Sequence, residues 1–469
     1  MTLNPEIQVL VLQYNKIKEI GSASFQFHPE LDTVDLSNNQ LIGIQDNTFE
    51  AQKRLLKLKL EGNELTTLTN LTFVGLDNLE YLDISKNKID HLPEGLFHSL
   101  ASLIKLNLEK NEIVMVDGKT FSGLSSLQFL KLNDNRLTKV PTETFSSIKR
   151  LSGLNLSRNR IKEWSETSFA FLSNLLQLDL SYNSLLTISK ESFQDLSSLI
   201  SLKLVSTNLS SVPSLALSPL DTLEELILSE NKFSIINSGA FRGLKGLRVI
   251  KIQYCQHLES VQTGAFSDNR ELTDIDISHN DNLALIEKNV FGELPNLSDL
   301  KLEHNMLSSI SLKGISLQSL LLTGNAWTCD CQLLPLQNLL LNLSSAQNRS
   351  SLRCAKPYAA RGKQLQSVHL EGCTEELEEE GVGYVSTTFI FIIGGSVSCL
   401  SLIILVLLVC RRRILEVVKD IRWRKTESAI KNKEMEYQKS FIQYEEYFLS
   451  LARQQAELEQ NQNIPVTEL

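Results

Sequence analysis

The feature that most limits what this chain can fold into is a recurrence. The pattern L-x-x-L-x-L-x-x-N-x-L begins at Ile7 and returns at Leu31, Leu55, Leu79, Leu103, Leu127, Leu151, Leu175, Leu199, Leu223 and Leu247, each time after 24 residues. Three further copies start at Leu272, Leu297 and Leu317, two after one-residue insertions and one after a shortened unit, which makes fourteen. Within a copy the apolar residues alternate as on a strand, so Leu82 and Ile84, or Leu130 and Leu132, point inward and the residues between them face out. No copy can bury its leucines alone. Stacking joins the strands into a parallel sheet on a concave side and the leucines into one core. Each buried leucine or isoleucine contributes about 1.5–3 kcal/mol relative to exposure. A helical array would instead require apolar spacing near 3.6 residues, which is not the pattern here.

Two further columns agree with this reading. Position nine is asparagine in twelve of the fourteen copies, Asn15, Asn39, Asn87 and Asn183 among them, with Thr207 and Cys255 as the exceptions. A carboxamide carries both donors and acceptors, so it can satisfy backbone groups at the turn leaving each strand. Eighteen residues after each start stands Phe25, Phe49, Phe73, Phe97, Phe121, Phe145, Phe169, Phe193, Leu217 and Phe241, then Phe266 and Phe291 after the insertions. These residues are expected to stack as a spine under the convex wall.

The 24-residue unit with its F-x-x-L segment, as in Phe97-His98-Ser99-Leu100, resembles the extracellular leucine-rich repeats of Toll-like receptors, Slit proteins and neuronal adhesion proteins. The fold class expected is therefore an α/β leucine-rich-repeat solenoid, a horseshoe with a parallel concave sheet and an irregular convex side, over residues 1–325. After it, Asn325-Ala326-Trp327-Thr328-Cys329-Asp330-Cys331 and then Cys354, Arg361-Gly362 and Cys373 resemble the cysteine-rich C-terminal cap of that group, here residues 326–374. Ala326 stands where the group usually has proline. The resemblance implies disulfides Cys329–Cys354 and Cys331–Cys373, whereas spacing alone allows three pairings. Zinc is the competing use of four cysteines, and oxidising conditions favour disulfides over it. Trp327 and the leucines of 333–343 are suited to cover the open end of the core. Cys255 reads either as a buried residue of the asparagine column or as a thiol for an intermolecular disulfide.

Beyond an acidic linker, 375–383, residues 384–410 contain no charged residue over 27 positions, more than the roughly 20 that a helix needs to cross the hydrocarbon core. Glutamates precede this span and Arg411, Arg412 and Arg413 follow it, so the positive-inside tendency places the repeats outside and the C-terminus in the cytosol. A single-pass plasma-membrane protein is the expectation, with the sequons at Asn70, Asn155, Asn208, Asn296, Asn342 and Asn348 all outside. Gly394-Gly395 and Ser398 offer spacing for a helix dimer, and Cys410 a position for palmitoylation. The N-terminus has no basic start and only the short apolar run from Ile7 to Leu12, so an export signal and an N-terminal cap are expected to precede the residues given.

The tail, 411–469, is too short for a typical signalling domain. Residues 414–460 read as helical, with Tyr437, Tyr444 and Tyr447 as candidate phosphorylation sites. The ending Val466-Thr467-Glu468-Leu469 looks like a ligand for PDZ domains, with Thr467 and Leu469 as the side chains read in the groove.

Function is expected on the concave face. Its central column reads Asp35, Lys59, Asp83, Asn107, Lys131, Asn155, Asp179, Lys203, Ile227, Lys251, Asp276 and Lys301. Mixed signs argue against a polyanion and for a protein ligand matched in shape and local charge. Residues 1–410 are net acidic by ten, so nucleic acid is not an expected partner. Tyr81 and Phe129, one column over, are candidate aromatic anchors. The candidate ligand-binding set is Tyr81, Asp83, Asn107, Phe129, Lys131, Asp179 and Lys203. Catalysis is not expected: there is no H-E-x-x-H or G-x-S-x-G, and Gly118-Lys119-Thr120 has Ile113 where a P-loop has its first glycine. No cofactor or metal is called for. The leading expectation is a cell-surface recognition or adhesion receptor; an accessory subunit of another membrane protein is the alternative, and innate immune recognition a further one.

Overall fold

A three-residue strand is too short to persist alone, and each strand of this protein is held by the coils before and after it. The computed structural model describes residues 6–342 and 352–370, apart from residues 163, 165, 186, 187 and 369. Among them, fourteen three-residue strands from Val9–Val11 to Ser319–Leu321 form one parallel sheet in chain order. Registers advance by one repeat, as in Lys57↔Tyr81↔Lys105↔Phe129. The middle residue of almost every strand, such as Leu58, Leu82 and Leu106, is buried, and its two neighbours face out. A second, three-stranded parallel sheet, Ile235–Ile236, Ser260–Val261 and Leu285–Ile286, runs where two successive coils are each 25 residues apart.

The asparagine column does more than close its own turn. Asn135 donates its amide to Leu132 O of its own coil at 3.1 Å and to Leu108 O of the preceding one at 2.9 Å, while its Oδ1 accepts from the Ile113 N–H at 3.1 Å. The same bonds recur at Asn39, Asn63, Asn87, Asn111, Asn159 and Asn183. At the two exceptions the ladder is repaired differently. Thr207 gives its hydroxyl to Leu204 O at 3.0 Å and to Asn231 Oδ1 at 3.1 Å. Cys255 is fully buried and unpaired, with its Sγ 3.7 Å from Leu228 O, so it occupies the column as a small core residue; burial pushes its thiol up to about 11.

Behind the leucines many neighbouring rings of the phenylalanine spine stack, with centroids 5.5 Å apart for Phe25 and Phe49, 6.1 Å for Phe73 and Phe97, and 5.2 Å for Phe241 and Phe266. It is interrupted at Leu217, where Pro213 opens the one-turn helix Ser214–Leu217 and the buried leucine takes the ring's place. Gly123 shows how close adjacent coils approach: with φ at +99°, a Cβ there would lie 2.5 Å from the carbonyl oxygen of His98.

The two ends differ. At the first coil Ile7, Leu10, Leu12 and Ile17 are only partly buried. At the other end Trp327 is buried over the last coil with Leu333, Leu336 and Leu340, the latter two on the helix Leu334–Asn342. Cys329 and Cys354 are disulfide-bonded, which ties the cover to the segment beyond it. Cys331 is also disulfide-bonded, and its expected partner Cys373 lies outside the described residues. So do Asn348, the linker 375–383, the apolar run 384–410 and the tail 411–469 with Thr467 and Leu469; among the described residues no helix is long and apolar enough to cross a membrane.

Replacing Asn135 with alanine leaves the Ile113 N–H without its acceptor, while Leu108 O keeps the Asn111 amide and Leu132 O keeps the Asn159 amide. With one buried N–H left unsatisfied and two shared bonds between coils lost, a loss of about 2 kcal/mol in urea unfolding is expected. Asn15→Ala, at the exposed first coil, should cost far less.

Candidate ligand-binding face

The outward positions of the strands place side chains in columns at coil spacing, so residues 24 apart in sequence are neighbours. Two columns flank each buried strand leucine. One carries Lys57, Tyr81, Lys105, Phe129 and Gly153, and the other Lys59, Asp83, Asn107, Lys131 and Asn155. In the first, the Lys57 ammonium lies 5.1 Å from the centre of the Tyr81 ring and Lys105 lies 5.2 Å from that of Phe129. Such cation–π contacts contribute about 0.5–1 kcal/mol at exposed sites and hold the rings in place. Gly153 leaves room for the Phe129 ring, since a Cβ there would sit 2.8 Å from it.

The second column is held by hydrogen bonds within the protein. Asp83 accepts from the Ser85 N–H at 3.0 Å, the Ser85 hydroxyl at 2.6 Å, the Tyr81 hydroxyl at 3.0 Å and the Asn107 amide at 3.0 Å. Burial, and then the Asp83 charge beside it, push the Tyr81 phenol above its ordinary range. Asp35 repeats the arrangement with Ser37 and adds Lys59, whose Nζ is 2.9 Å away. Burial opposes the charge on Asp35, but the hydrogen bonds from Ser37 and Lys59 outweigh it and hold the carboxyl below its ordinary value.

The sequence-derived set therefore divides. Tyr81, Asp83, Asn107, Phe129 and Lys131 are brought together on three adjacent strands. Asp179 and Lys203 pair in register two and three strands beyond Lys131 on the same face. Asp83 is buried, and its carboxylate holds the Tyr81 hydroxyl and the Asn107 amide in place from inside the protein. Phe129 is 39 % exposed and Lys131 is exposed. Lys131 and Lys203 form no ion pair among the described residues, which leaves both ammonium groups available. Of the sequons, Asn70, Asn208 and Asn296 are exposed. Asn155 is half-buried, with its Oδ1 accepting from the Ser157 N–H and hydroxyl at 2.9 and 2.7 Å, and Asn342 ends the cap helix.

Sequence reasoning missed Lys57 and Lys105, although their alternation with Tyr81 and Phe129 was visible in the column. It also missed a row along the edge of the coils. The residue before each column asparagine has positive φ in coil after coil, including Tyr14, Lys86, Lys110, Arg158, Tyr182, Ser206, Glu230, Tyr254, His279 and His304. Here the Arg158 guanidinium lies 4.1 Å from the Tyr182 ring, and the Tyr182 hydroxyl donates to Glu230 at 2.9 Å. Tyr254, His279 and His304 stack with centroids 4.9 and 4.7 Å apart.

Leucine rich repeat matches overlap along residues 5–307, well over half the chain. The solved structure of TLR13 in complex with ssRNA13 is 26% identical with a TM-score of 0.70, over 78% of this chain and 53% of that one. Drosophila Toll, solved with Spatzle, is 19% identical with a TM-score of 0.60, over 76% of this chain and 56% of that one, and shows the fold alone. A leucine-rich-repeat protein of Leptospira interrogans is 26% identical with a TM-score of 0.56, over 72% of this chain and 77% of that one. The chain thus spans little more than half the length of the TLR13 and Toll chains it matches. No curated protein matches it at a significant level.

Because the carboxyl of Asp35 is held down in the folded state, its ionisation stabilises the fold above the ordinary value of 3.8, and that contribution is lost as pH falls through the lower folded value. Asparagine makes the same bonds to serine at Asn155. Asp35→Asn should therefore fold and show a shallower loss of stability on acidification below about pH 4, read from urea midpoints across pH.

Proposed function

The chain belongs to the leucine rich repeat family, and from that premise we propose that it is a cell-surface recognition receptor that binds a protein ligand on the sheet face around Phe129 and Lys131. The observation that carries this reading is the composition of that patch. Two aromatic rings, each held by a lysine of the same column, stand beside an unpaired ammonium and a carboxamide on consecutive strands. Aromatic anchors fixed before binding lose little side-chain freedom on contact, and aromatic residues dominate the energetics of protein interfaces. The solenoid is an interaction scaffold whose outward strand residues can vary without disturbing the core.

TLR13 was solved with an RNA ligand. The sheet face of this chain carries Asp35, Asp83, Asp179 and Asp276 between its lysines, and an interrupted positive column is poorly suited to a continuous phosphate backbone. A protein partner suits the mixed signs better.

The apolar run 384–410 between acidic and basic flanks supports a single-pass anchor with the solenoid outside the cell, and the Cys329–Cys354 disulfide suits that compartment. In this reading Thr467 and Leu469 offer the cytoplasmic end to a PDZ scaffold.

The test is partner capture by cells displaying the full chain, read by surface proximity labelling at matched surface amounts. Changing Tyr81, Phe129 and Lys131 together to alanine should reduce labelling of the specific partner by about tenfold or more, the loss expected of about 1.4 kcal/mol or greater. Undiminished labelling would contradict the assignment of this face.

A further inference from the structure

The edge row described above contains a stack that is closed at one end and open at the other. Tyr254, His279 and His304 lie nearly parallel, with interplanar angles of 14° and 12°. Beyond His304 the row reaches Gly324, where even a Cβ would sit 2.5 Å from the imidazole, so the backbone itself closes that end. At the other end, the face of Tyr254 turned away from His279 meets no ring. The next two residues of the row are Glu230 and Ser206, and only beyond them does Tyr182 restore an aromatic. The small side chain of Ser206 leaves a cavity of about 490 Å³ against Tyr254, bordered by Glu230, Lys232, Gln256 and His257.

The walls of this groove are fixed. The Tyr182 hydroxyl holds one oxygen of Glu230 at 2.9 Å, and Arg158 covers the Tyr182 ring, so the Glu230 carboxylate is oriented before anything binds. On the opposite side Tyr254, 53% exposed, is supported by His279. A flat group entering the groove would continue the existing stack on Tyr254 and meet a carboxylate acceptor at its rim. Offset aromatic stacking contributes about 0.5–1.5 kcal/mol beyond area burial.

We infer that this groove is a second docking site, which takes an aromatic side chain bearing a hydrogen-bond donor, tyrosine or tryptophan, from a protein partner. The phenol or indole donor pairs with Glu230 while the ring stacks on Tyr254. A nucleobase would also stack, but Glu230 offsets Lys232 in the lining and the chain through residue 410 is net acidic, so no net positive charge there draws in a phosphate, whereas an uncharged tyrosine or tryptophan side chain needs only the carboxylate acceptor. The inference rests on the protein-binding reading above but places the contact on the edge of the coils rather than on the sheet face.

The experiment is saturation-transfer NMR on the full chain in detergent micelles with N-acetyltyrosinamide as probe, alongside N-acetylleucinamide and adenosine monophosphate. Tyrosinamide should receive transfer to its ring, with its apparent affinity reduced about tenfold in Ser206→Tyr, which fills the groove, and in Tyr254→Leu, which removes its floor. Tyrosine already occupies the same backbone conformation at positions 182 and 254, so Ser206→Tyr is compatible with the local fold. The Tyr81, Phe129 and Lys131 triple variant should bind the probe like the unsubstituted chain, which separates failure of this groove from failure of the sheet-face assignment. Equal binding of tyrosinamide by both groove variants would overturn the inference. So would leucinamide or adenosine monophosphate binding as tightly as tyrosinamide.

Discussion

The rest of the structure depends on the carboxamide of each column asparagine, which hydrogen-bonds backbone groups of two coils at once. A solenoid coil turns sharply off its strand, and that turn strands N–H and C=O groups inside the protein where water cannot reach them. Asn63, for example, donates to Leu60 O and Leu36 O at 3.0 Å each and accepts from the Leu41 N–H. The bond to the preceding coil fixes the spacing and rotation between neighbours, and the strand register follows from it. Leucine burial supplies the driving force, but apolar contact has no direction. The asparagine ladder supplies the direction.

That regularity explains why residues far apart in sequence form surfaces. Identical backbone positions in successive coils face the same way, so two lysines and two rings become a patch because they share one column. The electrostatics of the sheet face are then settled largely within the protein. Asp35 is neutralised by Lys59, Asp83 is saturated by four donors, and Lys301 is paired with Asp274 at 3.0 Å. The exposed ring of Phe129 and the ammonium groups of Lys131, Lys203 and Lys251 stay outside these pairings. The face is thus less charged in effect than its sequence suggests, which suits shape-selective recognition of a protein.

The leucine pattern in the sequence was sufficient to place every strand of the large sheet, because each copy, whether 24 residues after the last or displaced by an insertion or a shortened unit, permits one register only. The phenylalanine column was legible for the same reason, and its break at Leu217 was visible as a substitution, although the helical turn after Pro213 was not. Individual side-chain partners were less legible. Asp83 read as a ligand contact because an outward strand position is usually solvated, and the serine two residues on, which draws the carboxylate inward, was not weighed. The edge row went unread for a different reason. Its shared property is a left-handed backbone conformation imposed by the turn, and tyrosine, lysine, serine, glutamate and histidine all adopt it there with no common residue type to mark it. Thr207 and Cys255 could be identified as exceptions to the ladder, but how the ladder is repaired around them depends on Asn231 and Asn280 in the following coils.

The most direct test of the central claim, that strand residues aligned by the coils form the binding surface, is site-specific photo-crosslinking on living cells. A photoreactive residue is placed singly at Lys105 or Lys131 on the sheet face, and at Glu94 in a turn of the opposite wall. Positions 105 and 131 should each give one partner adduct of the same mass, and position 94 none. Adducts from position 94 alone, with none from the sheet face, would contradict it.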